Sequence, residues 1–220
     1  MKTMVLAVLL TTALFPLLAL AEPGSDKPPE GAVVLFDGSD TSKWLDGKAE
    51  DGFLREGTTT RDGFGDCLLH VEFNIQPRDD GRRANGNSGV YIQRRYEIQI
   101  LNSYGQEPQK GGCGAIYQFK APDVNACQPL GEWQTFDIVF CQPRWNGDQK
   151  TADARISVVH NGKKIHDNVE VPRKTGHGQE EGPEPGPLHF QNHGNKIHFR
   201  NVWLLPLGPE EIEKHLKKGA

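Results

Sequence analysis

The chain has 220 residues and a formal charge of −4 at pH 7, with 25 Lys and Arg against 29 Asp and Glu. That balance lacks the basic excess that holds a polyanion, so a nucleic-acid partner is not expected. The 25 glycines and 15 prolines, with little helical periodicity, exclude a helical bundle and favour many short elements joined by turns.

At the N-terminus Lys2 precedes an apolar run from Met4 to Leu20 that closes on Ala19-Leu20-Ala21 before Glu22. A charged start, a short apolar core and a small-residue exit predict a secretory signal peptide over residues 1–21. A membrane anchor is the weaker reading, because Pro16 interrupts the run and a span needs about 20 clean apolar residues. Residues 22–220 are then one domain, periplasmic or secreted, with no membrane partner after cleavage; a length of about 200 residues suits a single core. All four cysteines (Cys67, Cys113, Cys127, Cys141) fall in this part. In an exported protein an even count suggests disulfides, with three possible connectivities. No CxxC or Cys/His ligand spacing is legible, which disfavours a structural zinc site; no metal ligands and no cofactor are assigned from the sequence.

Short β-rich runs follow one another: "AVVLF", "CLLHVEFNI", "GVYI", "YEIQI", "GAIYQF", "WQTFDIVF", "ARISVV", "KIHDNVEV", "PLHFQ" and "KIHFRNVWLL". Gly, Pro, Asn or Asp separates nearly all of them, the pattern of a sandwich or barrel. Asn161-Gly162 predicts a tight hairpin. Residues 172–187, "PRKTGHGQEEGPEPGP", are too polar for a core and predict a long mobile loop. "PEEIEKHLKK" predicts a short C-terminal helix, with Ile212 and Leu216 four residues apart and a lysine-rich end.

Within "NSGVYIQRRYEIQI", residues 87–100, the hairpin register can be argued from side-chain parity. A loop of Gln93–Arg95 pairs Ile92 with Tyr96, Val90 with Ile98, Tyr91 with Glu97 and Gly89 with Gln99. Val90, Ile92, Tyr96, Ile98 and Ile100 then share an apolar face, and Asn87, Tyr91, Glu97 and Gln99 share a polar one. A slip of one residue would mix the two sets. The same parity turns Leu69, Val71, Phe73 and Ile75 inward and His70 and Glu72 outward. Further on, His193 precedes a Gly-Asn turn and Arg200 lies in the next strand. One solvated face is ordinary for an antiparallel sheet. Here, however, the polar positions carry glutamates, amides, a tyrosine, a histidine and an arginine, which are acid/base and sugar-binding groups rather than the Lys, Thr and Ser of a bland surface.

"LFDG" with Trp44, "NSGVY", "YEIQIL", "GAIY", "WQTFDI", "HNG" and "QNHG…FRNVW" occur in the order seen in the 3-keto-disaccharide hydrolase family, and the chain resembles it from about Val33 to Leu205. The resemblance implies an all-β, concanavalin/laminin-G-like jelly-roll sandwich whose concave sheet holds the site. Its hallmark positions correspond to Asn87, Glu97, Gln99, His193 and Arg200. Two departures are Asn102, where the family has Asp, and Arg94, where many relatives have Gly. The implied reaction is cleavage of a glycoside oxidised at C3, whose ketone acidifies the C2 hydrogen so that the C1 substituent leaves by elimination and water then adds. Glu97 and His193 are the candidate base and acid, in either order; Asn87, Tyr91, Gln99, Arg200 and Glu72 are candidates for substrate binding. The partner is an oligosaccharide or glycoside. Two alternatives stay open: a conventional glycosidase using Glu72 and Glu97 as a carboxylate pair, and a carbohydrate-binding module without turnover. Cys113 and Cys127 bracket a strand and a Pro-containing loop that can fold back, and relatives share both cysteines. The pairing implied is Cys113–Cys127, with Cys67–Cys141 as the second bridge.

Overall fold

A computed structural model describes residues 27–78, 80 and 84–217; the segment read as a signal peptide lies outside them. Numbered along the chain, the first strands are β1 (Val33–Phe36), β2 (Trp44–Leu45), β3 (Ala49–Glu50), β4 (Phe53–Arg55), β5 (Thr58–Phe64) and β6 (Cys67–Ile75). Next come β7 (Ser88–Ile92), β8 (Tyr96–Ile100), β9 (Trp133–Cys141), β10 (Arg144–Asn146) and β11 (Gln149–Ala152). The last are β12 (Ala154–His160), β13 (Lys163–Val171), β14 (Gly186–Phe190), β15 (Ile197–Pro206) and the helix α1 (Pro209–Lys217).

The strands build two antiparallel sheets and a small ribbon. The large sheet runs β13-β12-β9-β6-β15-β4-β3, with β1 also pairing β15; the smaller runs β2-β5-β14-β7-β8; β10 and β11 stand apart. The sheets face each other across one core. Leu69, Val71, Phe73 and Ile75 of β6 and Phe136, Ile138 and Phe140 of β9 meet Val90, Ile92, Tyr96, Ile98 and Ile100 of the β7–β8 hairpin, all buried. Each such side chain contributes roughly 1.5–3 kcal/mol through removal from water. The architecture is an all-β jelly-roll sandwich with one short C-terminal helix.

Hydrophobic parity sets the hairpin register: Val90 opposes Ile98, Tyr91 opposes Glu97 and Gly89 opposes Gln99. Asn161-Gly162 joins β12 to β13 with φ of 50° and 73°, the doubly positive turn that matches strand twist. On α1, Ile212 and Leu216 pack on Leu68, Val139 and Trp203, covering one end of the outer face of the large sheet.

Three segments differ from their sequence expectation. "GAIYQF" forms no strand: Ile116 makes isolated bridges to Ile98 and to Lys120, and Gly114 and Gln118 take φ of 78° and 60°, which break the ladder. β5 is invisible to apolar periodicity because its buried positions are Thr58 and Thr60. The Thr60 hydroxyl is satisfied inside, donating to the Asp62 carbonyl at 2.8 Å and accepting from the Leu188 N–H at 2.9 Å. The polar segment 172–187 ends in the first residues of β14, and the part before that strand is laid down on the hairpin. Arg95 donates to the carbonyls of Glu180, Gly182 and Glu184 at 3.1–3.3 Å, while its own carbonyl accepts from Thr175 at 2.9 Å.

The described cysteines are free thiols. Cys67 faces the inter-sheet core, whereas Cys141 faces the opposite side with Trp203 and α1. Cys67 opposes Phe140, so Cys141 is the next residue along and points through the other face of the sheet. A Cys67–Cys141 bridge would need both side chains on one side, so this pairing is corrected: it does not fit the fold.

Candidate active site

The outer face of the smaller sheet collects one row of chemistry from three strands. His189 of β14 opposes Tyr91 of β7, and Tyr91 opposes Glu97 of β8. The Tyr91 hydroxyl donates to Glu97 Oε2 at 2.7 Å. The His189 ring centre lies 6.0 Å from that of Tyr91, and His189 Nδ1 is 2.9 Å from the Thr59 hydroxyl. Two residue-pairs further along, and so on the same face, Gly89 opposes Gln99. With its amide turned so that Nε2 faces the row, Gln99 donates to Glu97 Oε1 at 3.2 Å and to the Ser88 carbonyl at 2.7 Å. The far end of the same amide lies 3.3 Å from the Asn87 side chain.

Two glycines shape the space around the carboxylate. A Cβ on Gly89 would stand 2.4 Å from Glu97 Oε1, and one on Gly176 would stand 2.7 Å from Glu97 Oε2. Gly176 arrives on the docked polar segment, whose Thr175 hydroxyl accepts the Glu97 backbone N–H at 2.8 Å. That docking depends on the hairpin turn. Gln93 and Arg94 both take φ of 53°, closed by the Arg95 N–H on the Ile92 carbonyl at 3.0 Å. A left-handed arginine is unfavourable by itself. Here the Arg94 carbonyl accepts from Gln179 at 2.7 Å, so the strained turn supports the cover over Glu97.

Glu97 is only 2 % exposed, and burial pushes its carboxyl up to about 7 even though the Tyr91 hydrogen bond acts the other way. Burial and the nearby Glu97 carboxylate raise the Tyr91 phenol, which stays a donor at neutral pH. Burial, with Arg94 nearby, lowers His189, so its imidazole is neutral.

His193 sits exposed on the turn after β14 and lines an open cleft with Asn87, Asn85, Asn195, Arg78 and Gly194. The cleft therefore adjoins the Asn87 end of the row. Asn87, Tyr91, Glu97 and Gln99 come together as the parity argument places them, with His193 at the rim.

Glu72 and Arg200 lie elsewhere. Both are on the outer face of the large sheet, on β6 and β15, with Arg200 Nε 2.6 Å from Glu72 Oε2. Asn201, in a bulge at φ 43°, donates to Glu72 Oε1 at 2.7 Å. His70 is fully buried and pairs with Asp137 at 2.7 Å while stacking on Trp203. Burial alone would depress His70, but Asp137 and Glu72 outweigh it and raise the imidazole to about 9. Burial would raise Glu72, but hydrogen bonds from His70, Asn201 and Arg200 hold it at about 2. Arg200 also lies 3.9 Å over the Trp133 ring. These contacts form a separate ion-pair network on the other sheet, and the assignment of Glu72 and Arg200 to the same surface as Glu97 is corrected. Parity gives inside or outside for each strand but not which sheet the strand joins.

His189 is the group that sequence reasoning left out. Its signal was present in "PLHFQ", where Leu188 and Phe190 turn inward and leave His189 on the outer face. Among the described residues, no group of three or more His, Cys, Asp or Glu converges as a metal site.

Residues 31–205 match the family of 3-keto-alpha-glucoside-1,2-lyase-like domains, and the chain belongs to that family. A candidate glycosyl hydrolase from Parabacteroides distasonis has a similar structure, with 28 % identity, a TM-score of 0.72, and 81 % of this chain and 85 % of that one covered. Two further candidate glycosyl hydrolases from that organism share the fold. One has 19 % identity and a TM-score of 0.60, with 81 % and 95 % covered; the other has 22 % and 0.57, with 80 % and 99 % covered. A comparison with curated proteins gives no match. Family and fold together make this a carbohydrate-active, glycosyl hydrolase-like enzyme.

Proposed function

We propose that the protein is an exported enzyme that cleaves the glycosidic bond of 3-keto-glycosides by C2 deprotonation, elimination at C1 and addition of water. The observation that carries this reading is the Tyr91–Glu97 pair: a carboxyl raised to about 7 with a phenol donor 2.7 Å away. Removing a proton from the carbon beside a ketone needs a base and, next to it, a donor for the enolate oxygen. Ionised Glu97 takes the C2 proton. Tyr91, no longer holding a carboxylate, turns its hydroxyl to the oxygen on C3, with neutral His189 beside it. The enolate then re-forms the C3 ketone, a C1–C2 double bond appears, and the C1–O bond breaks. His193, on the Asn87 side, gives a proton to the departing oxygen. Water adds its hydroxyl at C1 and its proton at C2, completing net hydrolysis.

The rival carboxylate pair has unsuitable geometry. Glu72 and Glu97 point outward from opposite sheets, which pack about 10 Å apart. With two outward side chains added, the separation exceeds the roughly 9.5 Å upper limit for carboxylates flanking one glycosidic bond. Export rests on the Lys2, Met4–Leu20 and Ala19-Leu20-Ala21 pattern, and a mature N-terminus at Glu22 is the result to look for.

The deciding experiment incubates the purified protein with a 3-keto-disaccharide and with its unoxidised parent. Cleavage of the keto sugar alone is the expected result. Cleavage of the parent at a similar rate would replace this reading by ordinary glycoside hydrolysis, and binding without turnover would replace it by sugar recognition.

A further inference from the structure

We propose that residues 172–185 form a lid that swings off the β7–β8 hairpin to admit substrate to Glu97, with Glu181 as the latch that holds it shut. The inference rests on the reading of Glu97 as the base. Glu97 and Tyr91 are only 2 % and 4 % exposed, so no sugar ring can touch either group while the segment stays docked. Thr175 is buried against the Glu97 N–H, whereas Gly176 and His177 are exposed, so a single thickness of chain separates the pair from solvent.

The segment is built to come away. β13 ends at Val171 and β14 begins at Gly186, so both ends are fixed in the sheets. Val171 and Leu188 belong to the apolar core, and none of the described residues between them does. The docking is polar. The Thr175 and Gln179 N–H groups donate to the Arg95 and Arg94 carbonyls at 2.9 and 2.7 Å, and the Arg95 side chain reaches three carbonyls in return. Water replaces such contacts when they break. A segment with so few apolar contacts opens locally, well below the free energy of global unfolding.

Glu181 is where the lid meets parts of the fold that do not move with it. One carboxylate oxygen accepts the hydroxyl of Tyr96, a fully buried residue of β8. The other lies 2.8 Å from Lys150 Nζ on β11, and Lys150 also donates to the Pro172 carbonyl. Lys150 thus ties down both the start and the middle of the lid. Asp153, 2.9 Å away, balances its charge when Glu181 leaves. The Glu181 side chain is only 11 % exposed, so the ion pair is largely shielded from solvent and its loss should be felt.

The test uses the full mature protein, and its first arm needs no substrate. Hydrogen exchange read residue by residue should show the Thr175, Gln179 and Glu97 amides opening together, far faster than Val71 and Phe136 in the paired strands β6 and β9. Glu181→Ala and Lys150→Met should each speed the first three about tenfold or more and leave the core amides unchanged. In the second arm a carbodiimide takes up the water lost as Lys150 Nζ and the Glu181 carboxylate condense to an amide, which locks the lid shut. Turnover of a 3-keto-disaccharide should fall in proportion to that cross-link, read by peptide mapping, while a Glu181→Gln protein treated alike keeps its turnover. Lid amides that exchange only as slowly as the core overturn the proposal. So do full turnover by the cross-linked protein and equal losses in the two treated proteins. Fast lid exchange beside normal turnover by Glu97→Gln keeps the lid and removes the base assignment. If the sugar is never cleaved, the proposed reaction falls and the exchange rates alone decide the lid.

Discussion

Tyr91 and Glu97 are directly opposed on β7 and β8, and the phenol donates to the carboxylate at 2.7 Å beneath the Gly176 backbone. The pair combines a base whose proton affinity is raised by burial with a donor that cannot ionise at neutral pH. The raised carboxyl does not belong to glutamate alone: it comes from burial of an otherwise outward-facing strand position beneath the 172–185 segment, whereas a phenol stays a donor at neutral pH in any setting.

Glu97→Gln keeps the side-chain volume and a hydrogen bond to Tyr91 but cannot accept a proton. Turnover of a 3-keto-disaccharide should fall by about a hundredfold or more, with binding largely kept. His193→Asn should show a comparable loss, and the double variant should fall far short of the product of the two. Exposed Lys43→Gln, outside the polar face, is the control. Steady-state kinetics beside circular dichroism separates lost chemistry from lost fold. A Glu97→Gln protein with normal turnover would falsify the base assignment.

The pH dependence has a definite sign. The Glu97 carboxyl stands at about 7 in the folded chain against an ordinary 4.5, so it favours the fold below 4.5 and that contribution is lost as pH rises through 7. Activity moves the other way, since the ionised form is the base: kcat/KM should rise across neutrality. Relative to Glu97→Gln, the wild-type Tm should decline between pH 4.5 and 7. Tyr91→Phe removes the hydrogen bond that lowers the carboxyl, so the activity limb should move to higher pH.

Changes on the large sheet should act on stability. Asp137→Ala leaves His70 charged and buried without its 2.7 Å partner, and should cost about 3–5 kcal/mol in denaturant unfolding. With Glu72 held at about 2 against 4.5, its contribution exists above 4.5 and disappears as pH falls through 2. With His70 raised to about 9, its contribution is complete below 6.5 and lost as pH rises through 9. Glu72→Gln should therefore flatten the acid limb of the stability curve while leaving kcat/KM for a 3-keto-glycoside within about twofold of wild type, because the residue lies on the opposite sheet from Glu97. A hundredfold activity loss in that variant would return Glu72 to the site.

The Cys113 and Cys127 side chains are close enough to shift each other's titration, Cys113 upward and Cys127 downward, and both are buried. In an oxidising compartment they are expected to join, releasing two protons and two electrons to a disulfide donor, and to add about 3 kcal/mol for a loop this short. Cys67 and Cys141 should remain thiols because they face opposite sides of their sheet. Non-reducing peptide mapping of protein recovered from an oxidising compartment reads both outcomes, and a free Cys113 would defeat the first.

What the sequence alone determined was local parity. "NSGVYIQRRYEIQI" carries its register because its apolar and polar residues alternate with the period of a strand, and a one-residue slip would bury Glu97 among isoleucines. The Asn161-Gly162 turn and the Ile212–Leu216 stripe are legible for the same reason, each being a property of adjacent residues. Tertiary structure decided which strands share a sheet. Glu72 and Glu97 both read as outward, yet β6 lies in the large sheet and β8 in the small one, so the first joins an ion-pair network and the second a covered pair with Tyr91. It also brought His189 beside Tyr91 from nearly a hundred residues away and folded a polar segment over Glu97. Strand neighbours and loop docking are contacts between distant parts of the chain, fixed by how the whole apolar surface is buried at once, and no periodicity within one stretch encodes them.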